Sequence, residues 1–353
     1  MRVLIVGAGP TGLTIAVELA RRSIIPAVID RRADASSLSR AVGITPRSLT
    51  LLEPSGVTER LLAKGVKIRE ARVHVGEKPV ARLKFDAVHS PYDYILGLAQ
   101  DRTEAVLRDA LTGYGGAVTF GSELVGLRQE PDRVVAVTAD GKEAAYDIIV
   151  GADGIGSTVR PAAGIHFPGF DLPQTWSVAD VDAENWVNAG AFTLCFKPHG
   201  AVVVAVPLEA QRFRLISNTP DALAALPIPM HVTRVRRRGT FTISVRQAET
   251  YQSGRVYLAG DAAHCHSPVG GRGMNLGIAD GTDLARRLVE GDRRGYESAR
   301  RGDAAATIAL SERARRIVTS DLPFSRPLLS CAFRLVGALP PLRRKFSEAV
   351  LLD

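Results

Sequence analysis

The first thirty residues alternate between short apolar segments and one amphipathic segment. Residues 2–6 are apolar after the first position and run into a glycine-rich turn, and a second apolar segment at 25–29 ends at Asp30. Between them, residues 10–22 place apolar side chains three and four positions apart, which is typical of a helix with one buried face. The residues of that face are Leu13, Ala16, Val17 and Ala20. The order predicts a strand, a helix and a second, parallel strand.

The pattern continues with mixed elements as far as residue 166. Thr45 and Pro46 form a helix start, with threonine as the N-cap and proline at the first helical position. Residues 67–98 indicate strands and turns, helical spacing returns after Gln100, and 121–150 predict a meander with a hairpin turn at Asp140.

Strand patterns dominate from 167 to 246, and the chain then returns to a strand, a helix and a helical tail. The predicted strands of this region are 192–196, 201–206, 213–217 and 240–246, followed by a strand at 256–258 and a helix at 273–290. We therefore predict an α/β protein with a Rossmann-like nucleotide-binding domain, an inserted, mostly antiparallel β-sheet domain and a helical C-terminus. The predicted divisions are 1–70, 100–166 and 254–290 for nucleotide binding, 71–99 and 167–253 for substrate, and 291–353 for the helical segment.

The glycine-rich turn after the first strand has the spacing of a dinucleotide site. Its first glycine permits a tight turn, its second lets the backbone approach a pyrophosphate, and its third lets the helix pack closely on the strand. A carboxylate at the end of the next strand can accept hydrogen bonds from ribose hydroxyls. The candidate cofactor contacts of this unit are Gly7, Gly9, Pro10, Thr11, Gly12 and Asp30. FAD, NAD and NADP all use such a turn, so this unit leaves the choice among them open.

Two later segments repeat the arrangement of a strand that delivers a carboxylate to a glycine-rich turn. Asp153 follows the strand at 146–150, and Asp261 follows the strand at 256–258. A second helix N-terminus comes after Asp261 and can present free N–H groups to an electron-rich ring edge. The further cofactor candidates are Asp153, Asp261, Pro268, Gly271, Gly273, Met274 and Asn275.

These three segments, in this order and spacing, resemble the class A flavoprotein monooxygenases, the para-hydroxybenzoate hydroxylase-like family that includes aromatic polyketide hydroxylases. The likeness covers nearly the whole chain. Arg40 with Ala41 resembles the loop of that family that contacts FAD, and Gln100 resembles its cofactor-contacting glutamine. Tyr296 and Arg300 resemble its C-terminal tyrosine-arginine motif. The resemblance implies tightly but non-covalently bound FAD.

Two positions depart from the family pattern, and three arginines are candidates for binding phosphate. Asp30 stands where the family usually has glutamate, and Arg272 stands in place of a common glutamine. Arg40 is expected to contact the FAD pyrophosphate. Arg31 and Arg32 have two open interpretations, a solvated position or a contact with the adenosine or with an NADPH 2′-phosphate.

The resemblance also implies a reaction. NADPH or NADH would reduce FAD, O₂ would form a flavin 4a-hydroperoxide, and a hydroxyl would pass to a phenolic or polyketide-like aromatic substrate. No second dinucleotide turn exists, so the nicotinamide is expected to bind transiently. No acid or base can be assigned. Two residues are candidates for a catalytic role. Pro268 is expected to border the substrate, and Arg246 either points at the pocket or is a solvated arginine at the end of a strand.

Three other functions remain open from the residues alone. A flavin-dependent reductase or oxidase would use the same fold without inserting oxygen, and a flavin-binding scaffold would have no turnover. A plain NAD-dependent dehydrogenase would bind no flavin. The expected pocket wall consists of Phe192, Leu194, Phe196, Val203, Phe213 and Leu215, for which ordinary core packing is the alternative.

Composition and charge narrow the class of partner. The net charge of +8 favours anionic partners, but no nucleic-acid-binding module accompanies the basic residues, so no nucleic acid is expected. Cys265 between His264 and His266 lacks a second ligand cluster, so no metal is expected. Three widely spaced cysteines fit no disulfide framework, which favours the cytoplasm. The basic, apolar tail at 326–346 is expected to pack on the protein rather than on a membrane, and the oligomeric state is not predicted.

Overall fold

The computed structural model describes residues 1–35, 41–85, 90–322 and 324–351. The helices of these ranges are α1 (Pro10–Ala20), α2 (Pro46–Leu52), α3 (Val57–Leu62), α4 (Gln100–Gly113), α5 (Val159–Ala162), α6 (Gly273–Glu290), α7 (Gly295–Val318), α8 (Ser325–Ala338) and α9 (Pro340–Leu351). The strands as far as the meander are β1 (Val3–Val6), β2 (Ala27–Asp30), β3 (Gly43–Ile44), β4 (Val66–Ile68), β5 (Glu70–Val75), β6 (Lys78–Lys84), β7 (Ile95–Gly97), β8 (Val118–Phe120), β9 (Leu124–Gln129), β10 (Val134–Thr138), β11 (Glu143–Tyr146) and β12 (Ile148–Gly151). The later strands are β13 (Gly169–Glu184), β14 (Phe192–Phe196), β15 (Val202–Glu209), β16 (Arg212–Ser217), β17 (His231–Gln247), β18 (Gln252–Ser253), β19 (Val256–Leu258) and β20 (His264–Cys265).

A six-stranded sheet forms the nucleotide-binding half of the molecule. Its order is β18-β19-β12-β1-β2-β8, and all neighbours are parallel except β18 and β19. The four residues of β1 are all buried, as expected for a strand covered on both faces. Helix α1 connects β1 to β2 and packs against α4 and α6. Because neighbouring strands are parallel, the turns that follow β1, β2, β12 and β19 lie at one edge of the sheet.

An eight-stranded sheet forms the other half. Its order is β20-β17-β13-β16-β15-β14-β5-β6, and all neighbours are antiparallel except β14 and β5. The predicted strand 192–196 is present with those bounds, whereas β17 begins nine residues before the predicted start at 240 (240 − 231). Strand β13 was not among the predicted strands. Its apolar and polar residues do not alternate regularly, because its pairing with β17 shifts register between Asp171 and Thr175 and twice more.

The two faces of this sheet pack against different parts of the protein, which corrects one prediction. Phe192 and Leu194 pack on an apolar cluster with Val42, Ile68 and Val269 of the nucleotide-binding half. Val203, Phe213 and Leu215 instead belong to a separate core on the opposite face, with Trp186 and the segment after β16. The predicted pocket wall therefore mixed both faces. Cross-strand register decides the face, because Leu194 pairs with Val204 and Cys195 pairs with Val203.

Smaller elements connect the two halves. Strands β9, β10 and β11 form a meander within the predicted range, and its hairpin turn holds Gly141 at φ +80°. The strand predicted to end the meander, at 146–150, is instead β12 of the six-stranded sheet. Thr45 caps α2 as predicted, since its side chain accepts a hydrogen bond from the Ser48 N–H. A three-stranded sheet of β3, β7 and β4 lies where the halves meet.

The C-terminal region is helical, as predicted. Helices α8 and α9 pack over β6, and Phe196 of the large sheet stacks on Phe333 of α8 with ring centroids 5.7 Å apart. No helix in the described ranges is both long and apolar enough to cross a bilayer.

Candidate functional site

Three predicted cofactor segments meet at one edge of the six-stranded sheet. The Gly7 N–H donates to the Ile29 carbonyl at 2.8 Å, and the Ala152 N–H donates to the Val6 carbonyl at 2.8 Å. The Ala259 N–H donates to the Gly151 carbonyl at 3.0 Å. The turns that follow β1, β12 and β19 are therefore held side by side by their own backbone groups.

The three glycines of the first turn serve different purposes. Gly7 has φ +107°, and a Cβ there would stand 2.3 Å from the Ala152 carbonyl oxygen. A Cβ on Gly12 would stand 1.9 Å from the Gly7 oxygen. Gly9 has φ −78°, and a Cβ there would meet nothing within 4 Å. Gly7 and Gly12 are therefore required by the fold, whereas Gly9 keeps open the space in front of the α1 N-terminus, which Pro10 begins.

Thr11 ties this turn to the last cofactor segment. Its Oγ1 atom lies 2.5 Å from the position of a Cβ on Gly260 and 2.2 Å from that of a Cβ on Gly277. The side chain of Thr11 thus packs where α1, α6 and the turn after β19 come together. The Thr11 N–H is in the first turn of α1 and has no acceptor within the helix.

Asp30 lies at the predicted edge, and Arg32 binds its carboxylate. Asp30 Oδ2 accepts from the Ala8 N–H at 2.7 Å and from Arg32 Nη2 at 2.9 Å, and Oδ1 accepts from Arg32 Nε at 3.0 Å. Burial alone would raise the pKa of Asp30, but these bonds lower it below the ordinary value of 3.8. Arg31 is exposed, with Nη2 3.8 Å from the position of a Cβ on Gly156.

Gln100 is the first residue of α4 and holds the backbone that follows the predicted FAD loop. Its Oε1 atom accepts from the Ala41 N–H at 3.1 Å, and its Nε2 atom donates to Glu104 Oε1 at 2.8 Å. Arg214 Nη1 donates to the Ala41 carbonyl at 3.4 Å from the large sheet. Arg40, predicted to contact the pyrophosphate, lies outside the described residues.

Arg214 itself forms a fully buried ion pair that sequence reasoning missed. Its Nε and Nη2 atoms donate to the two carboxylate oxygens of Asp180, each at 2.6 Å. A bidentate guanidinium–carboxylate pair can be buried because it satisfies both charges. The sequence signal was weak, because β13 and β16 contain other charged residues, and only the cross-strand register pairs Asp180 with Arg214.

Asp153 fixes the turn that follows β12. Its Oδ2 atom accepts from the Thr158 N–H at 2.7 Å and from the Val159 N–H at 3.1 Å. Its Oδ1 atom is buried and has no hydrogen-bond partner among the described residues. One oxygen thus shapes the turn, and the other can still accept a hydrogen bond from a ligand.

The N-terminus of α6 lies beside the same edge. The N–H groups of Gly273, Met274 and Asn275 occupy its first turn and have no acceptor within the helix. The Asn275 side chain accepts from the Thr45 N–H at 2.9 Å and donates to the Gly43 carbonyl at 3.0 Å. Asn275 therefore clamps the start of α2 to α6, which leaves its backbone N–H as the group that can face a cofactor.

A glycine turn leads into that helix. The Pro268 carbonyl accepts from the Gly271 N–H at 2.9 Å, with Gly270 at φ +100° and Gly271 at φ +65°. Val269 packs on the same apolar cluster as Phe192 and Leu194. Pro268 thus lies in a loop between the α6 N-terminus and the large sheet.

Asp261 is exposed at the end of β19, and a buried carboxylate lies behind it. Asp280 Oδ2 accepts from the Gly260 N–H at 3.0 Å and from His264 Nε2 at 2.6 Å, and Oδ1 accepts from Arg300 Nε at 2.7 Å. Burial alone would raise the pKa of Asp280, but His264, Arg300 and the Gly260 N–H lower it. Sequence reasoning identified Arg300 and His264 but missed Asp280, whose only signal was a carboxylate on the apolar face of α6.

Arg246 forms an ion pair at the end of β17. Its Nη2 atom lies 2.9 Å from Asp171 Oδ2, and its Nε atom lies 3.3 Å from Asp171 Oδ1. This pairing matches the strand-end interpretation of Arg246. In the part of the chain that the structure describes, no group of three or more potential metal-ligating side chains comes together.

The fold and the site together define an α/β protein whose glycine turns and helix N-termini gather at one edge of a parallel sheet, as in nucleotide-binding proteins. A family model described as an FAD binding domain matches residues 1–225 and 218–298. The chain therefore belongs to this FAD-binding domain family, and FAD is the cofactor, as predicted.

Curated relatives are named as monooxygenases. The chain is 34% identical over 308 residues to an uncharacterized aromatic compound monooxygenase of Bacillus subtilis, which covers 81% of this chain and 61% of that protein. It is 34% identical over 313 residues to the 6-methylpretetramide 4-monooxygenase of Streptomyces rimosus, which covers 82% of this chain and 56% of that protein. The chain thus spans about 60% of the length of the curated relatives it matches.

Solved structures share the fold along the whole chain. An anhydrotetracycline hydroxylase from Streptomyces rimosus superposes with a TM-score of 0.80 and 29% identity, over 99% of this chain and 76% of that one. A p-nitrophenol 4-monooxygenase from Pseudomonas putida superposes with a TM-score of 0.88 over 99% of this chain and 98% of that one. At 21% identity, the second comparison concerns the fold alone.

Proposed function

We propose that this protein hydroxylates a phenolic or polyketide-like aromatic small molecule, using FAD, NAD(P)H and O₂. The observation that carries the proposal is the apolar cluster between the two halves. Phe192, Leu194, Val204, Ile216 and Phe241 of the large sheet pack with residues of the nucleotide-binding half and remain only half-buried. Half-buried apolar side chains between two packed halves are what an aromatic ligand needs.

The residues at the sheet edge fit FAD. Gly9 leaves open the space that a pyrophosphate needs in front of α1, and two helix N-termini, of α1 and α6, direct N–H groups toward the same region. Asp153 Oδ1 is a buried acceptor that lacks a protein partner in the described ranges, and Asp261 is exposed beside it in the fold. These groups match the pyrophosphate and the hydroxyls of an extended dinucleotide.

The ribose and phosphate contacts of individual residues are part of the proposal. Gly7, Gly12, Pro10 and Thr11 would shape the pyrophosphate turn, with Asp30 and Arg31 toward the adenosine. Gln100 would contact the cofactor beside Arg40. Gly271, Gly273, Met274 and Asn275 would face the ring edge. Asp30 would reach a ribose only if Arg32 shares or releases its carboxylate, because that guanidinium now binds both oxygens.

When bound, FAD supplies electron transfer from NAD(P)H and the activation of O₂. The chain contributes position, local charge and exclusion of water. The N-terminus of α6 would stabilise negative charge on the part of the cofactor that lies next to Gly273. The half-buried face around Leu194 excludes water from the neighbouring ligand, and Pro268 borders both spaces. Arg246 would act in the pocket only after leaving Asp171, so we assign it no catalytic role.

The division of the chain follows from the same arrangement. Five strands of the six-stranded sheet come from 1–70, 100–166 and 254–290. Seven strands of the large sheet come from 71–99 and 167–253 or begin one residue before them. These facts support the proposed nucleotide-binding and substrate-binding divisions, with 291–353 as a helical segment.

The names of relatives support a phenolic or multi-ring substrate. They include a pentachlorophenol 4-monooxygenase, two rifampicin monooxygenases and enzymes that act on tetracycline intermediates. The test is a screen of phenols and polycyclic phenols against the purified yellow protein, following NAD(P)H oxidation and hydrogen peroxide release together. Hydroxylation predicts that a true substrate speeds NAD(P)H oxidation and lowers the peroxide released per NAD(P)H. If, with every phenol, the hydrogen peroxide released equals the NAD(P)H oxidised, the protein is an oxidase. If NAD(P)H oxidation is negligible and no phenol increases its rate, the protein is a scaffold.

A further inference from the structure

Helix α8 has two apolar faces, and only one of them is covered. Leu329, Phe333 and Val336 pack on the cluster of the large sheet. The opposite face carries Phe324, Leu328, Cys331 and Leu335, at spacings of four, three and four, which align on one side of a helix. We call these four residues the outer stripe.

The outer stripe is strongly exposed. Phe324 is 81% exposed, Leu328 is 71% exposed and Leu335 is 48% exposed, while Cys331 is also on the surface. The flanking segments add three more exposed apolar side chains, Leu322 at 68%, Leu339 at 46% and Leu342 at 39%. Single exposed apolar side chains are ordinary, but a continuous line of them marks an interaction surface.

The charges near the stripe are mostly positive. The segment 321–351 contains five basic residues and two acidic residues, Asp321 and Glu348, and α8 contains no acidic residue. Arg326 is turned inward, donating to the Lys197 and Val318 carbonyls. Arg334, Arg344 and Lys345 are exposed, and Arg344 Nε lies 2.9 Å from Glu348 Oε1.

The charge identifies the occupant. A second copy of this chain would bring two basic surfaces together, which costs free energy. An anionic bilayer offers negative headgroups above an apolar layer, and a helix with leucine and phenylalanine on one line and arginine and lysine beside it matches that order. Helix α8 has 14 residues and is therefore about 21 Å long, too short to span the hydrocarbon core, so it would lie along the surface.

We propose that the outer stripe and the exposed cations of α8 and α9 rest on an anionic lipid bilayer. Phe324 and Leu328 would enter the headgroup boundary, and Arg334, Arg344 and Lys345 would bind lipid phosphates. This orientation turns the β6 edge of the large sheet toward the membrane, since α8 packs over that strand. It revises the expectation that the tail packs on the protein alone, and it does not depend on the proposed hydroxylation.

The test is flotation of the FAD-loaded protein with vesicles of phosphatidylcholine, with and without about 30% phosphatidylglycerol, at about 0.05 M and about 0.5 M salt. The wild-type chain is expected to float with the anionic vesicles at low salt and much less with neutral ones. The double variant Phe324→Gln/Leu328→Gln should bind more than tenfold more weakly. Arg334→Gln/Lys345→Gln should bind about 25-fold more weakly, from roughly fivefold for each cation, and should lose part of the salt dependence.

Matched controls separate the surface from general stickiness. Val187→Gln changes an apolar residue that is 65% exposed elsewhere, and Arg60→Gln/Lys64→Gln removes two exposed cations on and just after α3. Both should bind vesicles like the wild type, and all variants should keep their bound FAD and Tm. If the wild type does not bind anionic vesicles at low salt, the proposal is wrong. This holds even if an acidic protein is found to bind the stripe. Equal loss in the control variants also overturns it, as does sedimentation velocity showing a dimer that Leu328→Gln abolishes without any effect on lipid binding.

Discussion

At the scale of single residues, the hexapeptide 7–12 contains glycines with different roles. Gly7 and Gly12 have no room for a Cβ because backbone atoms of the neighbouring turn occupy that space. Gly9 has room and an ordinary φ, so the protein itself does not require glycine there. We therefore propose that glycine at position 9 serves a ligand that approaches the backbone.

Gly9→Ala separates cofactor binding from folding. We expect the variant to fold with a Tm within a few degrees of the wild type, since alanine fits the backbone and meets no neighbour. We expect FAD to dissociate at least tenfold more readily, measured by titration of the apoprotein with FAD. Gly12→Ala is the matched contrast and should fail to fold or lose several kcal/mol. Unchanged FAD affinity in Gly9→Ala would contradict the placement of the pyrophosphate.

Asp280 predicts a specific dependence of stability on pH. Because its pKa in the folded protein lies below the ordinary 3.8, the carboxylate stabilises the fold above that value. This contribution is lost as the pH falls through the lower, folded pKa. Replacing Asp280 by asparagine leaves Arg300 buried without its main counter-charge and should cost about 3–5 kcal/mol at neutral pH.

The measurement is the free energy of unfolding of wild type and Asp280→Asn between neutral pH and about pH 3. The gap between the two proteins should be largest near neutrality and should shrink below about pH 4. Glu290→Gln, at an exposed pair with Arg286 on the same helix, is the control and should cost less than about 1 kcal/mol. A gap that stays constant down to the acid limit would show that Asp280 is not an ion in the folded protein.

The sequence predicted the glycines of the turns better than the buried ion pairs behind them. Glycines at fixed spacing have a backbone reason that is visible in sequence, so Gly7, Gly9 and Gly12 were found. Asp280 and Asp180 were missed because a carboxylate in an amphipathic helix or strand usually faces water. Only the packing of distant arginines, Arg300 and Arg214, makes these two aspartates buried ions.

At the scale of elements, the large sheet separates two apolar environments by alternation along each strand. Sequence showed that residues of β14, β15 and β16 alternate, but the register that assigns each set to a face depends on pairing between strands. Three predicted pocket residues were therefore placed on the wrong face. Helix α6 was predicted with its observed bounds because a glycine turn and a C-terminal glycine delimit it.

Substitutions on the two faces should have different consequences. Leu194→Ala enlarges the half-buried space beside the nucleotide-binding half and should change KM for the aromatic substrate severalfold with a modest loss of stability. Phe213 is 1% exposed in the separate core that contains Trp186, so Phe213→Ala leaves a cavity there. This variant should lose about 3–5 kcal/mol of unfolding free energy, with KM unchanged. Steady-state kinetics and denaturant unfolding on both variants check this. Equal changes of KM would contradict the assignment of faces.

At the scale of the whole molecule, the glycine turns gather at one edge of the six-stranded sheet, and Val269, in the loop before α6, packs on the apolar cluster of the large sheet. The resemblance of three distant segments to one family predicted this architecture, because parallel strands bring their carboxyl ends to one edge. The long strand β13 and the helical packing over β6 could not be predicted, since both depend on contacts between distant segments. The identity of the aromatic substrate depends on the shape of the half-buried face, which local sequence does not encode.

The most direct test of the central claim is the origin of the oxygen in the product. The FAD-loaded protein is supplied with NAD(P)H, ¹⁸O₂ and a phenol that stimulates NAD(P)H oxidation. The mass of the product, measured by mass spectrometry, reports how many ¹⁸O atoms it contains. Hydroxylation predicts one ¹⁸O atom per new hydroxyl, and no label when ¹⁸O is supplied only as water. A product that forms without label from ¹⁸O₂ would contradict the account and assign this fold a reductase or oxidase activity.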